Sequence, residues 1–324
     1  MATPTWSYAA SYYGCASANI NADSTFCTTA TGSCAGNDPV TAATALAGTH
    51  TLFANGCTIT IPSGANLTVT ASKLSNKDDG GDMVDGGGFT VATNASYTVV
   101  VQADIESGET TGAALGITGS AAGNARVTVG SSGTPVTITG GSASGMNGVS
   151  DTHTVGQVVA YANINGGSHI GAVGWYQGGS SGTVVGYGTA TAGVGTAYRV
   201  AGAGTGTWNG DCVGSGSSRA VFGCDGYVGA LTVTGSIIAT DYSSGAAGKI
   251  IWAPSNAQKY VKMDGGGTEL FLGAGLGSDA GGTQLSGADS AAQIADNYYF
   301  IRKDTGNYTE GTKAAGGGLS AYAF

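Results

Sequence analysis

The segment Cys57-Thr58-Ile59-Thr60-Ile61 alternates threonine with isoleucine until Pro62 interrupts it. Val136-Thr137-Ile138-Thr139 repeats this alternation and runs directly into Gly140-Gly141. A period of two, in residues that are stiff at χ1, is typical of short half-buried β-strands. The same pattern recurs at residues 67–70, 89–91, 97–101, 127–129 and 231–234. The chain is therefore predicted to consist of many short strands joined by glycine-rich turns.

The composition supports a folded, repetitive β-protein. Of the 324 residues 60 are glycine, and 10% are charged, against roughly 25% in an ordinary globular domain. Disorder usually combines low hydrophobicity with high net charge, whereas the hydrophobic fraction here is 41%. Glycine at this density suits a backbone that turns sharply and often.

The strand segments come in pairs, which indicates how they are stacked. Thr58, Thr90 and Thr128 begin successive pairs and are 32 and 38 residues apart. A β-solenoid coil or a series of hairpins would produce this spacing. Solenoid corners use glycine at nearly every turn, so we predict an all-β, parallel β-helix-like solenoid with an irregular N-terminal arm. A β-sandwich or hairpin array is the alternative.

Changes in texture along the chain suggest three regions. Residues 1–55 are rich in Ala, Ser and Thr and are predicted to form an N-terminal arm or cap that serves as an attachment region. Residues 56–275 carry the Gly/Thr-rich strand pattern and form the predicted solenoid. Residues 276–324 are predicted to form a C-terminal loop and strand segment.

The charge distribution excludes some partners. The net charge is −9, from 20 acidic and 11 scattered basic residues, so no basic stripe is present to neutralise nucleic-acid phosphates or an anionic membrane surface. No apolar run approaches the ~20 residues that span a bilayer. The N-terminus lacks the basic and apolar regions of a secretory signal, so we expect synthesis in a cytoplasm.

The cysteines indicate disulfides. None of the six lies in a Cys-x-x-Cys pair, which argues against a zinc site. Cys15 and Cys27 have the same spacing as Cys212 and Cys224, with eleven residues between the members of each pair. We interpret these two pairs as disulfide candidates. Buried free thiols, packed as small hydrophobic groups, are the alternative.

One acidic loop is the candidate metal site. Asp78, Asp79, Asp82 and Asp85 fall within eight residues and are interleaved with glycine. Such a loop could wrap carboxylate oxygens around Ca²⁺, but it has neither the EF-hand pattern nor the nonapeptide repeat of calcium β-rolls. A solvated acidic loop between two strands is the leading interpretation, and no other cofactor is expected.

Catalytic patterns are sparse. The three histidines are His50, His153 and His169, and no Gly-x-Ser-x-Gly elbow joins a strand to a helix. His153 lies two residues from Asp151, but proximity in sequence does not define catalytic geometry. We therefore predict a protein without catalytic residues that is not an enzyme.

The strand segments with few charges, of which Ala230-Leu231-Thr232-Val233-Thr234-Gly235-Ser236 is typical, resemble those of tailed-bacteriophage virion structural proteins, in particular capsid decoration and β-helical fibre proteins. The resemblance covers about residues 56–275 and assigns no functional residue. It implies a non-enzymatic, homotrimeric β-protein that binds capsid or other virion proteins by multivalent attachment and is located in the virion. A host surface glycan is a further expected partner. The alternatives are a bacterial surface adhesin or extracellular filament subunit, and a tailspike-like polysaccharide-degrading enzyme.

Overall fold

The computed structural model shows a chain that is nearly all β. It describes residues 10–210, apart from 47–49, 63–66, 79, 81–82, 93–97, 109–111, 120–125, 155, 170, 179–181, 192 and 201–203; beyond residue 210 it describes only the backbone of the strands named below. Within these residues the single helix is the five-residue α1 (Ala42–Leu46). The prediction of an all-β fold is confirmed.

The strands are short, as the sequence predicts. In chain order they are β1 (Ser11–Gly14), β2 (Phe26–Ala30), β3 (Gly36–Val40), β4 (Thr51–Phe53), β5 (Thr58–Ile61), β6 (Leu67–Val69), β7 (Lys73–Ser75), β8 (Gly88–Ala92), β9 (Thr98–Val101), β10 (Asp104–Glu106), β11 (Leu115–Thr118), β12 (Arg126–Val129), β13 (Val136–Thr139), β14 (Val149–Asp151), β15 (Gln157–Asn165) and β16 (Val173–Gln177). They continue with β17 (Thr183–Tyr187), β18 (Ala190–Thr191), β19 (Thr196–Val200), β20 (Thr205–Trp208), β21 (Cys212–Gly214), β22 (Phe222–Cys224), β23 (Ala230–Val233), β24 (Ile237–Ala239), β25 (Ile251–Trp252), β26 (Val261–Met263), β27 (Phe271–Gly273), β28 (Leu276–Gly277), β29 (Gln284–Leu285), β30 (Tyr299–Asp304), β31 (Asn307–Lys313) and β32 (Leu319–Ala323).

Parallel pairing organises most strands into three ladders. The first ladder is β1-β4-β7-β10-β13-β15-β18-β21-β24. The second is β5-β8-β11-β14-β16-β19-β22-β25. The third is β6-β9-β12-β15-β17-β20-β23-β26, so that the long β15 belongs to two ladders. From β4 to β26 the chain visits the first, second and third ladders in turn.

The alternation of side chains explains why these segments are strands. In β5 the isoleucines Ile59 and Ile61 are buried, whereas Thr58 is exposed. Other strands show the same alternation. Because neighbouring parallel strands of a ladder pair in constant register, their buried side chains lie next to one another and form a column along the ladder. In the first ladder this column contains Leu52, Leu74, Ile105, Ile138 and Ile164, and in the second Ile59, Phe89, Leu115, Val149 and Trp175.

The N-terminal region is more regular than the predicted irregular arm. Strand β1 pairs antiparallel with β2, β2 pairs antiparallel with β3, and α1 follows β3. Strand β3 has no alternating pattern in its sequence, Gly36-Asn37-Asp38-Pro39-Val40. Its extended conformation therefore comes from pairing with β2 rather than from its own residues. We call residues 11–46 the cap. It covers the start of two ladders, since β1 pairs with β4 and Asn19 forms a parallel bridge to Thr60.

Antiparallel pairing among the described strands is confined to the two ends of the chain. Besides the cap, it joins β28 to β29, β30 to β31 and β31 to β32, in the region where the sequence predicts a loop and strand segment. Between β4 and β26 the strand pairs that the structure describes are all parallel and join non-consecutive strands, unlike the pairs of a hairpin array. Within the described residues no helix is long and apolar enough to cross a membrane.

Candidate functional site

An open groove of about 530 Å³ runs across the turns that lead from the first ladder to the second. We call one passage of the chain through the three ladders a circuit. The lining residues come from five successive circuits, at or after the ends of β7, β10, β13, β15 and β18, so the groove runs along the first ladder. The described residues that line it are Lys77, Glu106, Ser107, Gly108, Thr139, Gly140, Gly141, Ser142, Gly166, Gly167, Ser168, Gly193 and Val194. Most have small side chains, so backbone atoms form much of the floor.

Glycine permits this floor because neighbouring turns approach closely. A Cβ atom on Gly141 would overlap the carbonyl oxygen of Gly108, and one on Gly167 would overlap that of Gly141. Backbone hydrogen bonds continue across the same turns: the amide of Ser142 donates to Gly108 O at 3.3 Å, and that of Ser168 to Gly141 O at 3.1 Å. The turns are therefore hydrogen-bonded together beyond the ends of the strands. We call Gly108, Gly141 and Gly167 the glycine ladder.

One end of the groove is charged. Lys73 Nζ lies 2.7 Å from Glu106 Oε2, and Lys77 Nζ lies 3.4 Å from Glu106 Oε1. Both lysines come from the preceding circuit, where β7 pairs with β10. Partial burial disfavours the charged form of Glu106, but the hydrogen bond from Lys73 and the charges of both lysines outweigh it and hold the pKa of Glu106 below its usual value. Glu106 is therefore ionised at neutral pH.

The groove is suited to hydrogen bonding rather than to acid–base chemistry. Hydroxyl groups from Thr139, Ser142 and Ser168 line it, with Glu106 and Lys77 at one end. These side chains supply polar groups within a lining whose remaining surface is mostly apolar. Glycosidases generally act through a pair of carboxyl groups, and among the described lining residues Glu106 is the one carboxylate.

The structure describes two of the four predicted calcium ligands in the acidic loop, Asp78 and Asp85. The backbone amide of Asp78 donates a hydrogen bond to Asp85 Oδ1, and the amide of Gly80 donates to Asp78 Oδ1 at 2.5 Å. Both carboxylates thus bind the loop's own backbone. Asp79 and Asp82 lie outside the described residues, so the four-carboxylate site stays a prediction. Within the described part of the chain, no three His, Cys, Asp or Glu side chains are grouped as a metal site.

The first candidate cysteine pair is bonded in the structure. Cys15 and Cys27 form a disulfide with Cα atoms 5.8 Å apart, which links β2 to the residue that follows β1. Cys212 begins β21 in the first ladder and Cys224 ends β22 in the second, and their side chains lie outside the described residues. Cys34 and Cys57 are free thiols, Cys34 partly exposed and Cys57 buried.

A buried ion pair occupies the core of the second ladder. Asp151 stands in register between Ile117 and Gln177, where the other circuits carry Ile61, Val91 or Val200, and its carboxylate accepts a hydrogen bond from His153 Nδ1. Burial raises the pKa of Asp151. Burial also disfavours the charged form of His153, but Asp151 outweighs it and raises the pKa of His153. The pair is closed off from solvent, since His153 is 2% and Asp151 0% exposed.

Sequence reasoning did not identify two of these features. The groove has a signal that could have been found: Gly140-Gly141-Ser142 recurs as Gly166-Gly167-Ser168 directly after strands of the first ladder. Asn55 has no such signal. Its buried Nδ2 lies 3.0 Å from Gly14 O, 2.8 Å from Gly32 O and 3.1 Å from Ala35 O, which fastens the cap to the ladders.

Comparison of the chain with protein families, with characterised proteins and with solved structures finds no match in any of the three. A function must therefore be argued from the ladders, the groove and the cap themselves.

Proposed function

We propose that the three parallel ladders are the faces of one β-solenoid. The order in which the chain visits them supports this, because a chain that winds in one direction reaches each face once per circuit. In the second ladder the sequence separation of paired residues ranges from 23 to 34 positions. Trp175 and Tyr198 have the smallest separation, and Leu115 and Val149 have the largest. Corners of unequal length account for this variation.

On this architecture we infer that the protein is a non-enzymatic structural component of a phage virion, which decorates or projects from the capsid. The observation that carries the inference is the stack of three ladders with continuous columns of buried side chains. Such a stack gives a stiff body of repeated units, and identical copies on a symmetric lattice gain avidity without a single strong contact. The cap region provides the attachment, and the assembled form is a homotrimer.

Labelling of particles tests the virion assignment. An antibody raised against the purified chain is applied to released phage particles and to the host cells, and gold label is counted in negative-stain images. Label on capsids or tails is expected. Label restricted to the bacterial surface would contradict the assignment and favour an adhesin or filament subunit. Sedimentation velocity of the purified chain tests the trimer separately.

The groove favours a second function, recognition of a host surface glycan. Its hydroxyl groups and ionised Glu106 suit a hydroxyl-rich chain lying along the stacking direction. The test is a panel of bacterial surface polysaccharides with the full chain, with Glu106→Gln, and with Thr68→Ala as a matched control, since Thr68 is exposed on the third ladder. Binding that Glu106→Gln weakens and Thr68→Ala does not is expected. Binding that survives Glu106→Gln unchanged would exclude the groove. Release of oligosaccharides would instead support the tailspike-like enzyme.

A further inference from the structure

The cap holds a second pair of cysteines beside its disulfide. Cys34 lies in the turn between β2 and β3, and Cys57 immediately precedes β5. The Cys34 side chain lies near the thiol of Cys57 and contributes to raising its pKa. The two positions are thus neighbours in the fold, although 22 residues separate them in the sequence.

Backbone and side-chain contacts fix this proximity. The amide of Cys34 donates to Asn55 O at 2.9 Å, two residues before Cys57. Ser17 Oγ lies 3.8 Å from Cys34 Sγ and accepts a hydrogen bond from the amide of Thr58 at 3.1 Å. The turn that carries Cys34 is thus held on both sides of the segment that carries Cys57.

The turn that carries Cys34 packs closely against the segment that carries Cys57, with no space for an added side chain between them. Gly56 has a φ of 74°, and a Cβ atom at this position would overlap Ser33 Oγ and lie 3.0 Å from Ser33 Cβ. The side chain of Asn55 adds hydrogen bonds to Gly32 O and Ala35 O, one on each side of Cys34. The site is therefore built by several independent contacts, not by the cysteines alone.

We propose that Cys34 and Cys57 are a disulfide-forming pair that closes when the protein meets a low-molecular-weight disulfide such as oxidised glutathione. The thiolate of the partly exposed Cys34 attacks one sulfur of the reagent, breaks its S–S bond and releases one thiol. Cys57 then attacks the Cys34 sulfur, gives up its proton and releases the second thiol. Two protein thiols are oxidised to one disulfide, and the reagent is reduced to two thiols.

The environment of Cys57 sets the order of these steps. Burial, followed by the contact with Cys34, raises the pKa of the Cys57 thiol well above its usual range. Because the thiolate is the nucleophile, Cys57 reacts second and slowly. A mixed disulfide on Cys34 accumulates at neutral pH, and raising the pH speeds its conversion to the Cys34–Cys57 bond.

Formation of the Cys34–Cys57 disulfide would add a covalent link between the cap and the ladders. Cys15–Cys27 already ties β2 to the end of β1, and a Cys34–Cys57 bond would tie the opposite end of the β2–β3 hairpin to the start of the second ladder. A protein made in a reducing cytoplasm would gain this second link on reaching an oxidising medium.

Disulfide mapping of the full chain tests the pair. The reduced and folded protein is incubated with oxidised glutathione, remaining thiols are alkylated, and the protein is cleaved with chymotrypsin, which separates Cys34 from Cys57 by cutting after Phe53. Peptides linked through Cys34 and Cys57 are expected. Alkylated Cys57, or Cys34 linked instead to Cys15 or Cys27, would overturn the proposal.

Two single substitutions provide matched controls for the mapping. Cys57→Ala should stop the reaction at a stable glutathione adduct on Cys34, whereas Cys34→Ser should leave Cys57 without an adduct, since the buried thiol does not react first. An adduct on Cys57 in Cys34→Ser would contradict the proposed order. The wild-type map decides the proposal by itself if either variant fails to fold.

Discussion

At the scale of single residues, the buried Asp151–His153 pair is the largest departure from an apolar core. Asp151→Ala would leave His153 buried without its partner, so we expect a loss of about 3–5 kcal/mol in the free energy of unfolding. Replacing both, in Asp151→Val with His153→Leu, removes the buried polar pair and should leave stability within about 2 kcal/mol of the parent. Urea unfolding measures both. Equal losses in the single and double variants would refute the account.

The same pair predicts how stability depends on pH. The pKa of His153 is raised in the folded state, so the folded protein holds a proton that the unfolded chain releases earlier. Its contribution is complete below the ordinary histidine value of about 6.5 and is lost as the pH rises through the raised value. Burial raises the pKa of Asp151 as well, which acts in the same direction. Urea midpoints should fall above neutral pH more steeply for the parent than for the double variant, and parallel curves would contradict this.

Asn55 is the residue on which the cap depends most. Its Nδ2 donates to carbonyl oxygens of two cap segments, the end of β1 and the turn between β2 and β3, and its Oδ1 accepts a hydrogen bond from the amide of Val84 at 3.0 Å. Asn55→Ala removes these hydrogen bonds, of which the one to Gly14 O is fully buried, and should cost about 1–3 kcal/mol. Asn55→Asp should cost more, because it buries a negative charge against these carbonyl oxygens. Thermal unfolding compares the two, and a milder effect of aspartate would count against the hydrogen-bond assignment.

At the scale of the elements, the glycine ladder predicts where side chains are not tolerated. Gly141→Ala forces a Cβ atom against the Gly108 carbonyl oxygen, so we expect a loss of about 1–3 kcal/mol. Gly133 is the matched control, because a Cβ atom there would meet nothing within 4 Å. Gly133→Ala should leave the unfolding midpoint unchanged or slightly raised. Similar midpoints for the two variants would show that the turns can move apart.

The elements also show what the sequence could reveal. Alternating threonine and β-branched residues located β5, β6, β8, β9, β12, β13 and β23, because burial of one face leaves a period of two in the sequence. The pattern could not give the partner of each strand, since pairing joins residues from different circuits. The sequence did not predict strand β3 or the role of Asn55 for a related reason: both depend on contacts with segments that are distant in the sequence. The acidic loop was visible, but its hydrogen bonds to its own backbone were not.

At the scale of the whole molecule, the cap pairs with the first strands of two ladders. Strand β1 covers β4, and the segment around Asn19 covers β5, so two ladders do not begin with an open edge. Removal of residues 1–46 would expose both edges, and we expect concentration-dependent association that light scattering detects. Removal of residues 1–9, which precede β1, serves as the control. A monodisperse chain after the longer deletion would show that the edges are protected by other means.

The unequal spacing of paired residues has a consequence for how such a chain can change over time. Neighbouring strands must keep their register, but in the second ladder alone the spacing of paired residues varies by eleven, from 23 to 34. Insertions at these corners alter the surface without disturbing the columns beneath. Natural variants should therefore accumulate length differences there, and an experimenter could graft a foreign peptide epitope at the same places. The ladders would act as a fixed frame on which new surface loops are displayed.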